Sequence, residues 1–158
     1  MIREAAEFAE RAHEGVYRKG TKIPYITHPM ETAAIVTAFT NEPEMIAAAL
    51  LHDVIEDAGV TKEELEEKFG SRVAFLVESE SEDKSRSWME RKGTTVEHLK
   101  SATRDEKILA LADKLSNIRS TVRDYLVLGD EVWQRFNQKD KEMQGWYYTG
   151  VAEALKEF

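Results

Sequence analysis

Cysteine is absent from this sequence, and proline and glycine are scarce, at three and eight residues in 158. Without cysteine there is no disulfide and no thiolate ligand, so a metal site must be built from imidazole and carboxylate. With few helix breakers and abundant Ala, Leu, Glu and Lys, long helices are favoured over a strand-rich fold. No uncharged apolar run approaches the roughly 20 residues of a membrane-spanning helix. Met1 to Gly15 is charged and amphipathic, without the apolar core of a signal peptide, so a cytoplasmic protein with no membrane partner is expected. Positive charge is also in deficit. The 22 Lys and Arg face 30 Asp and Glu, a formal charge of −8. That balance argues against broad nucleic-acid binding, which depends on neutralising phosphates. A small phosphorylated ligand stays compatible if cations are gathered locally against the general field.

The length suits one domain over residues 1–158, large enough for a single buried core. Apolar positions at Ile2, Ala5, Ala6, Phe8, Ala9 and Ala12 make a helical stripe over residues 2–14. Gly15 to Pro29 reads as a loop, and Pro29 fits the first turn of a second helix running to about Phe39. A third helix opens at Asn41-Glu42-Pro43 and runs to about Asp57. Thr61 to Glu64 has the capping-box form, Gly70 suits the end of that helix, and Ser71 can cap another through Val77. Glu78 to Thr95 is polar and reads in part as a mobile loop. Thr103 to Glu106 is a second capping box, ahead of a long helix with Ile108, Leu111, Ala112, Leu115 and Ile118 on one side. Asp130 to Phe158 adds one or two helices, with Trp133, Phe136, Trp146, Tyr147 and Tyr148 as core or cleft aromatics. The expectation is an all-α bundle of about seven or eight helices.

The chemistry concentrates in a few positions. His52-Asp53 lies inside the apolar run Ala47 to Ile55, where a lone polar pair is costly to desolvate. Glu56 and Asp57 follow four residues after each, on the same helical faces. Asp113 poses the same puzzle in the apolar stretch Ile108 to Leu115, and His28 precedes Pro29 at a helix start. Two imidazoles and two carboxylates from three helices suit a first-row divalent ion with open positions for water. A buried ion-pair network without metal would satisfy the same residues, and spacing alone leaves both open. His13 reads as packed near the cleft and His98 as a surface residue. The basic loop Tyr17-Arg18-Lys19-Gly20-Thr21-Lys22 is either a solvated charge run or a clamp for phosphate and base. Arg91-Lys92, Lys114 and Arg119 are further cations for such a cleft.

Taken together, Arg18-Lys19-Gly20, Pro24-Tyr25-Ile26-Thr27-His28-Pro29, Ala49-Leu50-Leu51-His52-Asp53-Val54-Ile55-Glu56-Asp57 and Leu111-Ala112-Asp113-Lys114-Leu115-Ser116-Asn117-Ile118 resemble the HD-domain hydrolases of the RelA/SpoT family, from about residue 3 to 150. The resemblance implies an all-helical HD fold, a bound manganese ion (Mn2+) and hydrolysis of the 3′-pyrophosphate of the guanosine alarmones ppGpp and pppGpp. It implies His28, His52, Asp53 and Asp113 as metal ligands, with Glu56 and Asp57 orienting and deprotonating the attacking water. It implies Arg18 against guanine, Lys19 on phosphate, and Asn117, Arg119 and Ser120 lining the nucleoside pocket. The chain stops where larger members continue into a synthetase domain, so it looks like the single-domain alarmone hydrolases, including the metazoan SpoT homologues. It departs from the pattern at Lys114-Leu115-Ser116-Asn117, where many members have Arg-Leu-His-Asn, and in the polar stretch Glu78 to Lys84. Both departures bear on the substrate. The alternatives are an HD phosphohydrolase acting on NADPH, a deoxynucleotide or a nucleoside monophosphate, and a non-catalytic nucleotide-binding HD protein. Oligomeric state is not legible.

Overall fold

A helix apolar on every side must be surrounded, and the stretch Pro43–Leu51 organises the fold for that reason. In the computed structural model, which describes all 158 residues, Met45, Ala47, Ala48, Ala49, Leu50 and Leu51 of this helix are buried. Its alanines let neighbouring helices approach closely. In chain order the helices are α1 (Ile2–Ala12), α2 (Thr27–Val36), α3 (Pro43–Leu51), α4 (Val54–Ala58), α5 (Lys62–Phe69), α6 (Ser71–Glu80), α7 (Trp88–Ser101), α8 (Arg104–Leu128) and α9 (Lys141–Leu155). A 3-10 turn, Gly129–Arg135, joins α8 to α9. There is no β-sheet, only one isolated bridge between Tyr17 and Pro24 that pinches the basic loop. Helix α3 packs against α1, α2, α6 and α8, and its apolar side chains form the main core with Val73, Leu76, Ile108 and Leu109. A smaller core of Leu99, Ala110, Tyr147, Val151 and Leu155 ties α7, α8 and α9 together. No helix is long and apolar enough to cross a membrane.

The all-α reading holds, with nine α-helices where seven or eight were expected. The difference comes largely from the third helix, which does not run unbroken to Asp57. It ends at Leu51, and a turn through His52 and Asp53 leads into the short α4. Asp53 takes φ −100° and ψ −4°, the sparsely populated bridge region where active-site residues are often found. The caps at α5 and α8 form: Thr61 Oγ1 accepts from the Glu64 amide, and Thr103 and Glu106 cap each other reciprocally. Ser71 does not cap α6. Gly70 occupies the cap position without a side chain to offer, and the helix continues past Val77 to Glu80. The irregular part of Glu78 to Thr95 shrinks to Ser81 through Ser87, because Ser87 and Glu90 form a capping box that starts α7.

Candidate metal centre

Four side chains converge where α2, the α3–α4 turn and α8 meet. His28 comes from the first turn of α2, His52 and Asp53 from the turn, and Asp113 from the middle of α8. The two Nε2 atoms lie 3.1 Å apart. Asp113 Oδ1 is 3.1 Å from His28 Nε2 and 3.3 Å from His52 Nε2, and Asp53 Oδ2 is 3.6 and 3.0 Å from the same atoms. These separations match the edges between adjacent ligands around an ion with bonds of roughly 2.0–2.2 Å. His28 and His52 are 2% and 1% exposed, so water does not screen the cluster from within.

The hydrogens of both imidazoles are assigned by their other nitrogens. His52 Nδ1 donates to the Ala49 carbonyl at 2.7 Å. His28 Nδ1 lies 2.8 Å from Ser116 Oγ, whose own hydroxyl donates to Glu31 Oε2 at 2.7 Å. Each Nε2 therefore faces the other and two carboxylates, an arrangement that calls for a cation, either a metal ion or a proton. The titration behaviour says the same. Burial lowers the His28 pKa, whereas at His52 burial is outweighed by Asp53 and Asp113, which raise it well above the ordinary imidazole value. Burial likewise works against an ionised Asp53, but His52 overcomes it and holds the carboxyl below its usual range. His28, His52 and Asp113 offer donor atoms within 4.8 Å of one another, Asp53 Oδ2 lies beside both imidazoles, and imidazole with carboxylate suits a borderline or hard divalent metal, so the residues fit the ion that an HD hydrolase requires.

Around this cluster opens a cleft of about 350 Å³. Its lining includes Glu56 and Asp57, and carboxylate oxygens of Asp53, Glu56 and Asp57 lie within 4.8 Å of one another. Glu56 Oε1 accepts from the Glu82 amide at 2.9 Å, and burial raises its pKa. Asp57 accepts from Lys84 at 2.6 Å. Arg18, Lys19, Asn117 and Ser120 also line the cleft. Arg18 Nη2 donates to Asn117 Oδ1 at 3.0 Å and its guanidinium lies 5.6 Å from the centre of the Tyr25 ring. Asn117 Nδ2 in turn donates to Asp113 Oδ1 at 3.0 Å, tying the basic loop to the cluster. Arg119 is not brought in: it is turned to solvent and pairs with Glu31 at 3.4 Å. One turn on from Ser116, it stays on the side of α8 that faces α2, where Glu31 captures the guanidinium. His13 is buried against Tyr25, and His98 sits half exposed beside Glu106.

Sequence reasoning named Lys114, Arg91 and Lys92 as cleft cations but gave no role to Tyr25, Glu80 or Glu82. Tyr25 donates from its hydroxyl to Asp53 Oδ2 at 2.5 Å. Lys114 bridges Asp113 Oδ2 and Glu80 Oε2 behind the cluster. Glu82 gathers Lys92 at 2.8 Å and Arg91 at 3.4 Å on the cleft wall. Glu80 was detectable, since it continues the helical stripe of Val73, Leu76 and Val77 and so had to face inward. Nothing local marks Glu82, whose partners are on the following helix. Of the C-terminal aromatics, Trp133, Phe136, Tyr147 and Tyr148 line the cleft, and Trp146, which does not, lies tilted 6.3 Å from the ring of the lining residue Trp88.

The HD domain family model matches residues 5–139 of the chain. The human guanosine-3′,5′-bis(diphosphate) 3′-pyrophosphohydrolase MESH1 is 42% identical over 126 residues, 78% of this chain and 70% of that protein. Its Xenopus tropicalis counterpart is 40% identical over 126 residues with the same coverage. A solved structure, described as a metazoan ortholog of SpoT that hydrolyzes ppGpp and plays a role in starvation responses, superposes with a TM-score of 0.83 at 29% identity, covering 99% of this chain and 85% of that one. Fold, donor set and sequence agree: the chain belongs to the HD-domain family of hydrolases, in the branch that holds the metazoan SpoT-like MESH1 proteins.

Proposed function

We propose that this chain is a divalent-metal phosphohydrolase that removes the 3′-pyrophosphate of guanosine 3′,5′-bis(diphosphate), with His28, His52, Asp53 and Asp113 holding a manganese ion. The single observation that carries the metal site is that both carboxylates come within 3.0–3.6 Å of the two facing Nε2 atoms, where α2, the α3–α4 turn and α8 meet. The substrate class rests on the relatives and on the charge of the cleft. Eight Lys and Arg line it against seven Asp and Glu, in a chain where acids prevail 30 to 22. Six of the eight cations sit in ion pairs with acids of the cleft or its rim, whereas Arg18 and Lys19 form none, and these two suit a polyphosphate.

A divalent ion held there supplies Lewis acidity to water and to phosphate oxygens. Glu56 spends one oxygen on the Glu82 amide, and burial, by raising its pKa, makes it a stronger base toward the attacking water. Asp57, held by Lys84, keeps the second carboxylate beside it. The water oxygen forms the new bond to the proximal phosphorus, the ester bond to the ribose 3′-oxygen breaks, and that oxygen leaves as a hydroxyl after taking up a proton. Lys19, Lys92 and Arg91 offset charge on the transferring oxygens. Arg18, fixed by Asn117 over Tyr25, presents its planar face for a base to stack on.

The test is release of pyrophosphate from ppGpp by manganese-loaded protein, beside a panel of NADPH, deoxynucleotides and nucleoside monophosphates. Asp53→Ala is expected to lose both metal and turnover, and Glu56→Gln to keep metal while losing about 10²–10⁴-fold in rate. Turnover of another panel member with none of ppGpp would reassign the substrate. Failure to bind any divalent ion would remove the metal site.

A further inference from the structure

We propose that Ser116 and Glu31 are positioning residues that choose which nitrogen of His28 is free to bind a metal. The inference rests on the reading of the four converging donors as a metal site and deepens it.

The two imidazoles are oriented by different means. His52 Nδ1 donates to a main-chain carbonyl, Ala49, in the last turn of the helix that His52 caps. His28 has no such acceptor. Its Nδ1 meets Ser116 Oγ on α8 at 2.8 Å, and a serine hydroxyl accepts or donates equally well. The direction is decided one link further out. Glu31, three residues after His28 on α2, places Oε2 2.7 Å from the same hydroxyl. A carboxylate only accepts, so it claims the single serine proton. Ser116 Oγ then offers His28 a lone pair, the hydrogen settles on Nδ1, and Nε2 is left bare toward His52, Asp53 and Asp113.

Burial gives this relay its force. Ser116 is 0% and His28 2% exposed, so water does not replace a lost partner. Glu31 is a third exposed, and Arg119 lies 3.4 Å from its other oxygen, leaving Oε2 to the serine hydroxyl. The same contact explains what Arg119 does instead of lining the nucleoside pocket. Ser116 is also a position at which the chain departs from its family's pattern, and a serine there is ambiguous without an acceptor behind it. Outer partners of metal-binding histidines that fix tautomer and ring orientation are generally worth about 10–100-fold in metal affinity.

The experiment uses the full chain and two readouts, the His28 tautomer from ¹⁵N NMR of metal-free protein and the dissociation constant for Mn2+ by calorimetry. Wild type is expected to carry hydrogen on Nδ1 of His28. Ser116→Ala and Glu31→Ala are each expected to mix the tautomers and weaken Mn2+ by about 10–100-fold, whereas Ser116→Thr, which keeps the hydroxyl, stays within a few-fold of wild type. Arg119→Ala, acting only on the outer oxygen, is expected to change affinity little. Should Ser116→Ala fail to fold, Glu31→Ala, nearer the surface, decides the question. Wild-type tautomer and wild-type affinity in Glu31→Ala would overturn the relay, as would hydrogen on Nε2 in the wild type. A wild type that binds no Mn2+ would instead sink the metal site, and the tautomer measurement would still judge the relay by itself.

Discussion

Lys114→Met probes the support behind the metal centre. The ammonium bridges Asp113 Oδ2 and Glu80 Oε2, and the three side chains are only 13%, 8% and 6% exposed. Methionine preserves length and most of the volume but leaves two buried carboxylates without their cation. Removing one partner from a buried ion pair costs about 3–5 kcal/mol. At about 2–4 °C per kcal/mol for a chain of this size, the melting temperature should fall by about 6–20 °C. The loss should be larger at pH 8 than at pH 6. Burial, set against the attraction of Lys114, already pushes the Glu80 carboxyl up to about 7, so in the variant a proton replaces the missing cation once the medium is acidic enough. Adding Glu80→Leu should restore much of the stability, because an apolar group no longer demands a counter-charge. Metal affinity should not return with it, since Asp113 Oδ2 still lacks its donor. Thermal unfolding by circular dichroism at both pH values, with Mn2+ titration of each variant, separates the two effects. A Lys114→Met melting point within about 2 °C of wild type at pH 8, or a double variant no more stable than the single one, would refute the reasoning.

Three further outcomes are expected. In metal-free protein the folded state keeps a proton on Glu80 that the unfolded chain releases near the ordinary value of 4.5, so this stabilisation is full below that pH and is lost as pH rises through about 7; Glu80→Gln should remove that fall, seen as a gain relative to wild type in urea unfolding at pH 8 over pH 5. Gly20 has φ +69°, and a Cβ there would lie 2.6 Å from Arg135 Nε, so Gly20→Ala should both strain the loop by about 1–2 kcal/mol and displace Arg135 from Asp124, raising KM. Arg18→Ala removes the guanidinium face offered to the base, a contact worth about 0.5–2 kcal/mol, so KM for a nucleotide substrate should rise by about 2–30-fold while Mn2+ affinity stays near wild type.

Polar residues stranded in apolar runs were the most legible part of the site. His52, Asp53 and Asp113 announce themselves because their neighbours are core residues, and the structure brings them together with His28. Helix starts were legible wherever a side chain does the capping, as at Thr61 and Thr103. Ser71 misled because the preceding glycine took the cap position with no side chain at all. Ser87 and Glu90 carry the same capping signature as Thr103 and Glu106, yet the polar run around them hid it. Long-range partners were the least legible. Glu31 and Arg119 are both ordinary surface residues in sequence, and only the packing of α2 on α8 makes them neighbours of each other and of Ser116.

The turn between α3 and α4 has a bearing on how such a centre is transplanted. On a regular helix consecutive side chains leave the axis about 100° apart, so adjacent residues there serve different faces. Because the chain interrupts itself at His52 and Asp53, their donor atoms come within 3.0 Å of each other instead. A designer who grafted the dipeptide onto an idealised, uninterrupted rod would inherit the letters without the convergence. Inserting residues that smooth this kink in the natural chain should likewise split the pair, even with all four donors still written in the gene.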